Sequence, residues 1–102
     1  MPLLAPYGAA KAGVNNLTAT FAVAWTSGGV RVNCLALGAV RTELILDDAA
    51  RIGIDEAVLA SQNAMGRITT PEEVGYSVLY FASDASGFCS GQTLYANGGL
   101  KA

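Results

Sequence analysis

A tyrosine and a lysine stand four residues apart in the segment Tyr7-Gly8-Ala9-Ala10-Lys11. On a helix that spacing is about one turn, so a phenol and an ammonium would face the same way. A free tyrosine, with a pKa of about 10, is a poor base near neutrality. A fixed positive charge beside it favours the phenolate and lowers that value. Such a tyrosine can shuttle the proton that accompanies hydride transfer at an alcohol or ketone. The same pair also fits a surface tyrosine and lysine on an amphipathic helix, and by itself it leaves both readings open.

Other chemistries are excluded by residue type. The 102 residues contain no histidine. That removes Ser-His-Asp and Cys-His catalysis and the His-containing zinc sites. Cys34 and Cys89 lie far apart and match no metal spacing, so no metal site is expected and the thiols read as unpaired in a reducing compartment. The net charge of −2 argues against nucleic-acid and polybasic membrane partners. The longest uncharged run, residues 12–30, carries Asn15, Asn16, three threonines and Gly28-Gly29, which is too polar for a membrane span. Met1-Pro2-Leu3-Leu4 has neither the charged nor the apolar region of a signal peptide. A cytoplasmic location follows as the expectation.

The elements that must position the pair are readable from local signals. A helix is expected from about Gly8 to Ser27, with Val14, Leu17, Phe21 and Ala24 as its apolar stripe and Gly28-Gly29 as its stop. Val30 to Leu37 is a short apolar run with β-branched residues, the pattern of a strand buried on both faces of a parallel sheet. Thr42 can cap a short helix through Ala50, and a second short helix is expected over Asp55 to Ala64. Thr70-Pro71-Glu72-Glu73 is a capping box with proline at the first helical position, starting a helix to about Ser83. That helix is apolar nearly all round, through Tyr76, Leu79 and Tyr80 as well as Val74, Val78 and Phe81, and is expected to be buried on several sides. A strand over Gln92 to Ala96 and an Asn97-Gly98-Gly99 turn close the chain.

This order predicts an α/β arrangement with parallel strands. Two strands leave open edges and uncovered faces. Apolar residues make up 52% and charged residues 14%, against about 25% charged in ordinary soluble domains. Mean hydropathy is +0.39. Excess apolar surface and too few strands point together to a missing N-terminal segment or a partner.

Longer stretches carry a resemblance. Tyr7-Gly8-Ala9-Ala10-Lys11-Ala12-Gly13-Val14 resembles the active-site helix of the short-chain dehydrogenases/reductases. Arg31-Val32-Asn33-Cys34-Leu35-Ala36-Leu37-Gly38-Ala39-Val40-Arg41-Thr42 is similar to that family's RVNxxxPGxVxT segment. Gly66-Arg67-Ile68-Thr69-Thr70-Pro71-Glu72-Glu73-Val74 is similar to GRxxxPEEV. Ser83-Asp84-Ala85-Ser86, Ser90-Gly91-Gln92-Thr93 and Asn97-Gly98-Gly99 resemble its SDxxS…TGQ…DGG ending. The segments come in family order and cover nearly the whole chain.

The resemblance implies an α/β fold that is the C-terminal part of a Rossmann-like doubly wound parallel sheet. Residues 1–102 would be a partial NAD(P)-binding domain, from active-site helix to last strand, without the N-terminal nucleotide-binding half. The activity implied is NAD- or NADP-dependent oxidoreduction of a small-molecule alcohol or ketone, in a homo-oligomer. Tyr7 would be the general acid/base. Lys11 would lower its pKa and bond the nicotinamide ribose. Leu37 and Gly38 would approach the cofactor through their backbone, Val40 would reach the carboxamide through its backbone, and Thr42 would reach the pyrophosphate through its hydroxyl. Thr42 fits a plain helix cap equally well. Residues Glu43 to Ala64 would cover the substrate, with Leu44, Leu46, Ile52 and Leu59 as pocket or core.

Three departures stand out. Leu37 replaces the family's proline and Asn97 its aspartate. Met1 lies six residues before Tyr7, so the family's upstream serine is missing, and no GxGxxG-type turn for the pyrophosphate occurs. Ser27, Ser61 and Ser77 stand in the wrong places to substitute. Two functions are therefore expected of different forms: an oxidoreductase when the chain is part of a complete site, and an inactive assembly module, binding NAD(P) weakly or not at all, when it stands alone.

Overall fold

The computed structural model describes residues 5–100, with side chains from residue 9 onward. Helix α1 (Ala5–Trp25) leads into a 3-10 turn over Thr26–Gly28. Gly29 follows at φ 92°, and its N–H closes on the Thr26 carbonyl. A side chain is strained at that φ, so the glycine pair stops the helix as expected. Then come β1 (Cys34–Leu37), α2 (Glu43–Arg51), α3 (Glu56–Ala60), α4 (Pro71–Ala82) and β2 (Thr93–Ala96). The strands are parallel neighbours, with Cys34 opposite Thr93 and Leu37 opposite Ala96. The intervening helices make the crossover that a parallel pair requires.

Helix starts follow their caps. Thr42 Oγ1 accepts from the Ile45 N–H at the head of α2, and Asp55 Oδ1 accepts from the Val58 N–H at the head of α3. Thr70 and Glu73 complete the expected capping box on α4. Helix α3 ends at Ala60, four residues short of the expected Ala64. Asn63 diverts the chain there: its Oδ1 accepts from the Gly66 N–H and its Nδ2 donates to the Arg67 carbonyl.

The strand expected from Val30 begins only at Cys34. Upstream of it, a single backbone bond, from the Gly91 N–H to the Val32 carbonyl, and several side chains hold the backbone in place of a continuous ladder. Asn33 donates to the Cys89 carbonyl and accepts from the Gln92 N–H. Arg31 reaches the end of α4, donating to the carbonyls of Phe81, Ser83, Ser86 and Cys89 and to the Ser86 hydroxyl. Helix C-termini leave carbonyls without partners and favour a cation, and Arg31 answers both needs.

The buried described residues are few: Ala22, Ala49 and Ile68 among apolar ones, Thr18, Asn63 and Ser86 among polar ones. On α1 the stripe read from the sequence is not the buried face. Val14 and Leu17 are each 50% exposed. Instead Thr18 and Ala22, one turn apart, turn inward, and a Cβ on Gly91 would come within 3.2 Å of the Ala22 methyl. Small residues permit this close approach. The Thr18 hydroxyl tolerates burial because it donates to the Val14 carbonyl. The other two burial expectations also fail: β1 is half-buried with Leu37 exposed, and on α4 Tyr76 is 71% exposed. A two-stranded sheet has no further layer to cover these faces. The accessible surface is 7265 Å². A compact monomer of this mass would expose about 5,400 Å².

Candidate functional site

One cleft of about 500 Å³ opens between α1, β1 and the segment after β1, and its lining includes Lys11, Leu37, Gly38, Val40 and Thr42. Five of the six site residues expected from the sequence thus share one cavity, although they span two elements and a loop. The sixth, Tyr7, lies within α1, but its side chain is outside the described residues.

Each lining residue has a local reason for its place. Lys11 is exposed on α1. Gly38 donates its N–H to the Ala96 carbonyl, and a Cβ there would lie 3.3 Å from the Asn97 Cα. The glycine therefore lets the closing turn pack against the segment after β1, a reason additional to ligand approach. Thr42 Oγ1 accepts from the Ile45 N–H, which confirms the capping reading. An accepting hydroxyl still has a proton to donate, so capping does not exclude a bond to a ligand.

The segment 39–41 is held from one side. The Arg41 N–H donates to the Thr69 carbonyl at 2.7 Å, and the Thr69 N–H donates to the Ala39 carbonyl at 3.0 Å. This is a single parallel bridge between Val40 and Thr69. In parallel pairing, the bonds to one residue come from its partner's two neighbours. Val40 itself is therefore turned away from Thr69. Its carbonyl accepts from the Thr42 N–H, and its own N–H has no acceptor among the described residues. Val40 is a half-buried residue of the cleft lining, and an N–H without an acceptor there can serve a ligand.

Behind that bridge stands Glu73. Its carboxylate accepts from both terminal nitrogens of Arg67, at 2.7 and 2.8 Å, and from the Thr69 hydroxyl and Thr70 N–H, each at 3.1 Å. The Arg67 guanidinium first, then the Thr70 N–H, lowers the Glu73 pKa from 4.5 to about 2, against a smaller opposing effect of burial. Bonds to the charged form favour that form.

The structure adds site residues that sequence reasoning missed. Asn15 and Cys34 line the large cleft, with the Cys34 thiol 3.3 Å from Asn15 Oδ1. Asn15 lies one turn beyond Lys11, so its spacing was a usable signal. Cys34 carried none, since its position depends on which face β1 turns to α1. Tyr95 and Asn97 join the same lining from the chain's far end. A second cavity, of about 230 Å³, lies by Asn63, Arg67, Glu73 and Ser77 and shares Leu37, Gly38 and Asn97 with the first. Leu44 and Ile52 are exposed, and neither lines the two cavities.

The family model described as enoyl-(acyl carrier protein) reductase matches residues 1–101. The cis-4-hydroxycyclohexanecarboxylate dehydrogenase of Sinomonas cyclohexanicum is 41% identical over 96 residues, covering 94% of this chain and 37% of the relative. A solved short chain dehydrogenase/reductase family protein has a TM-score of 0.79 at 36% identity, covering 91% of this chain and 36% of that one. The structure of ElxO with NADP bound has a TM-score of 0.81 at 26% identity, covering 90% of this chain and 37% of that one. The chain spans a little over a third of the length of these relatives. Its parallel pair and flanking helices correspond to part of their Rossmann-like α/β fold.

Proposed function

We propose, from the premise that the chain belongs to the short-chain dehydrogenase/reductase family, that its large cleft is the nicotinamide end of an NAD- or NADP-dependent oxidoreductase site. In this reading residues 1–102 are the C-terminal part of the cofactor-binding domain. The observation that carries it is the convergence of Lys11, Gly38, Val40 and Thr42 on one cleft, with the Val40 N–H left without an acceptor among the described residues. The residues fit the group. A carboxamide oxygen needs a fixed donor, which the Val40 N–H supplies. A phosphate oxygen needs a hydroxyl at a helix start, which Thr42 supplies. A ribose diol needs a polar group at the rim, which Lys11 supplies.

A bound nicotinamide supplies the hydride acceptor or donor. The chain's own part is the proton and the orientation. Tyr7 as phenolate takes the proton from a substrate hydroxyl as its carbon gives up hydride, and returns it to the oxygen in the reverse direction. Lys11 keeps the phenolate accessible near neutral pH. The substrate is a small alcohol or ketone, the assembly a homo-oligomer and the compartment the cytoplasm. Titrating NADH and NADPH, by nicotinamide fluorescence, into the protein in the form its source cells make tests the reading. Saturable binding weakened by Thr42→Val and Lys11→Met supports it. Absence of binding by that form removes it.

A second reading rests on its own observation, the uncovered faces of α4. Here the chain alone acts as an assembly module without turnover. It predicts association of the 102-residue chain by itself and no saturable NAD(P) binding by it.

A further inference from the structure

The segment that faces the cleft at Val40 has few anchors. Gly38 is tied to β2 through the Ala96 carbonyl. Arg41 pairs with Glu56, but the side chains are 56% and 38% exposed, and such surface pairs hold little. What remains is the bridge to Thr69 described above. Thr69 is itself a loop residue, between the turn at 61–67 and α4, so its fixity needs a source. Its hydroxyl donates to Glu73 Oε1 at 3.1 Å, and that oxygen also takes the Thr70 N–H and the Arg67 guanidinium. A helix cap needs only the reciprocal Thr70–Glu73 bonds. The bond to Thr69 extends the carboxylate's hold one residue further, onto the residue that bridges to segment 39–41.

We propose that Glu73 is a positioning residue for the cleft: acting through Thr69, it fixes the Ala39–Arg41 backbone so that the Val40 N–H stays aimed at the cofactor. The inference deepens the oxidoreductase reading and rests on it for the identity of the ligand. The route is carboxylate to hydroxyl, hydroxyl-bearing residue to backbone bridge, and bridge to the turned-out N–H. Arg67 serves by fixing both carboxylate oxygens, a bidentate geometry that a lysine does not reproduce.

The test has two arms. The first needs no cofactor: backbone amide exchange by NMR on the protein in the form its source cells make, in wild type, Thr69→Val, Thr69→Ser and Glu73→Gln. Removing the hydroxyl bond should speed exchange of the Arg41 amide roughly tenfold, the weight of one charge-assisted bond. Thr69→Ser keeps the hydroxyl and should restore wild-type exchange. The Gly91 amide, bonded to the Val32 carbonyl, is the reference and should not move. An unchanged Arg41 amide, or Arg41 and Gly91 accelerating together as in general destabilisation, overturns the proposal. The second arm measures kinetics of the protein in its native form with NADH and NADPH. Thr69→Val should raise the cofactor KM several-fold with kcat little changed. A faster Arg41 amide with an unchanged KM overturns the positioning role. A wild-type protein that takes neither cofactor overturns the oxidoreductase reading instead, and the exchange arm separates that outcome from failure of the clamp.

Discussion

The Arg31 guanidinium donates to the Ser86 carbonyl at 2.7 Å and to the Ser86 hydroxyl at 3.0 Å, across 55 positions of chain. Ser86 is 1% exposed, and its hydroxyl in turn donates to the Phe81 carbonyl. Two stretches that read as separate motifs are therefore one knot. It ties the approach to β1 to the end of α4, and so sets where the residues after β1 emerge into the cleft.

Breaking that knot should be costly. Arg31→Ala leaves several carbonyls at the end of α4 without their partner and should lower stability by about 1.5–3 kcal/mol, the range for hydrogen bonds to a charged group. Urea unfolding measures it. A loss below half a kilocalorie would show that water replaces the guanidinium without penalty.

Gly98→Ala is expected to disturb the closing turn. Gly98 has φ 66°, and a Cβ there would lie 2.9 Å from the Oδ1 of buried Asn63. Strained backbone and displaced amide together should remove about 1–3 kcal/mol. Thermal unfolding of Gly98→Ala beside Gly53→Ala separates the causes. Gly53 shares a positive φ, 78°, but a Cβ there meets nothing within 4 Å.

Acid should unlock the α4 start in a defined window. The Glu73 pKa is depressed, to about 2 from 4.5. A depressed carboxylate contributes stability above its unfolded pKa and loses it as pH falls through the folded value. The contribution should thus be whole above about pH 4.5 and fade toward pH 2. Melting curves of wild type and Glu73→Gln should converge over that interval. A constant gap between them down to pH 2 would contradict it.

Proton transfer at Tyr7 and its support by Lys11 should appear in turnover of the native protein. Tyr7→Phe should lower kcat by a factor of about 10² to 10⁴, the usual range for a general acid/base. Lys11→Met should shift the alkaline-favouring limb of the pH profile upward, since the phenolate then lacks its cation. An unshifted limb with a lowered rate would assign Lys11 to binding alone.

The 102-residue chain by itself should self-associate. Tyr76 is 71% exposed, Leu79 63% and Phe88 fully, large apolar side chains that association would cover. Light scattering should report species heavier than 10.4 kDa. Leu79→Lys should shift the distribution toward the monomer, and a wild-type product monomeric at high concentration would contradict the expectation.

What the sequence by itself determined is local. The caps at Thr42 and Thr70 and the stop at Gly29 rest on bonds within a few residues or on glycine's freedom at positive φ. The family motifs also placed Lys11, Leu37, Gly38, Val40 and Thr42 in one candidate site, and they share one cleft. What only the tertiary structure decided is which faces meet. The buried line of α1 is Thr18 and Ala22 because Gly91 comes to it, not because it is the most apolar face. Asn63 shortens α3 where its amide meets the Arg67 carbonyl and Gly66 N–H and packs under Gly98. Thr69 matters to the cleft only once the fold lays it beside Val40. Local signals are written into neighbouring residues and survive in any context, whereas burial and long-range bonds depend on where the crossover brings distant segments together.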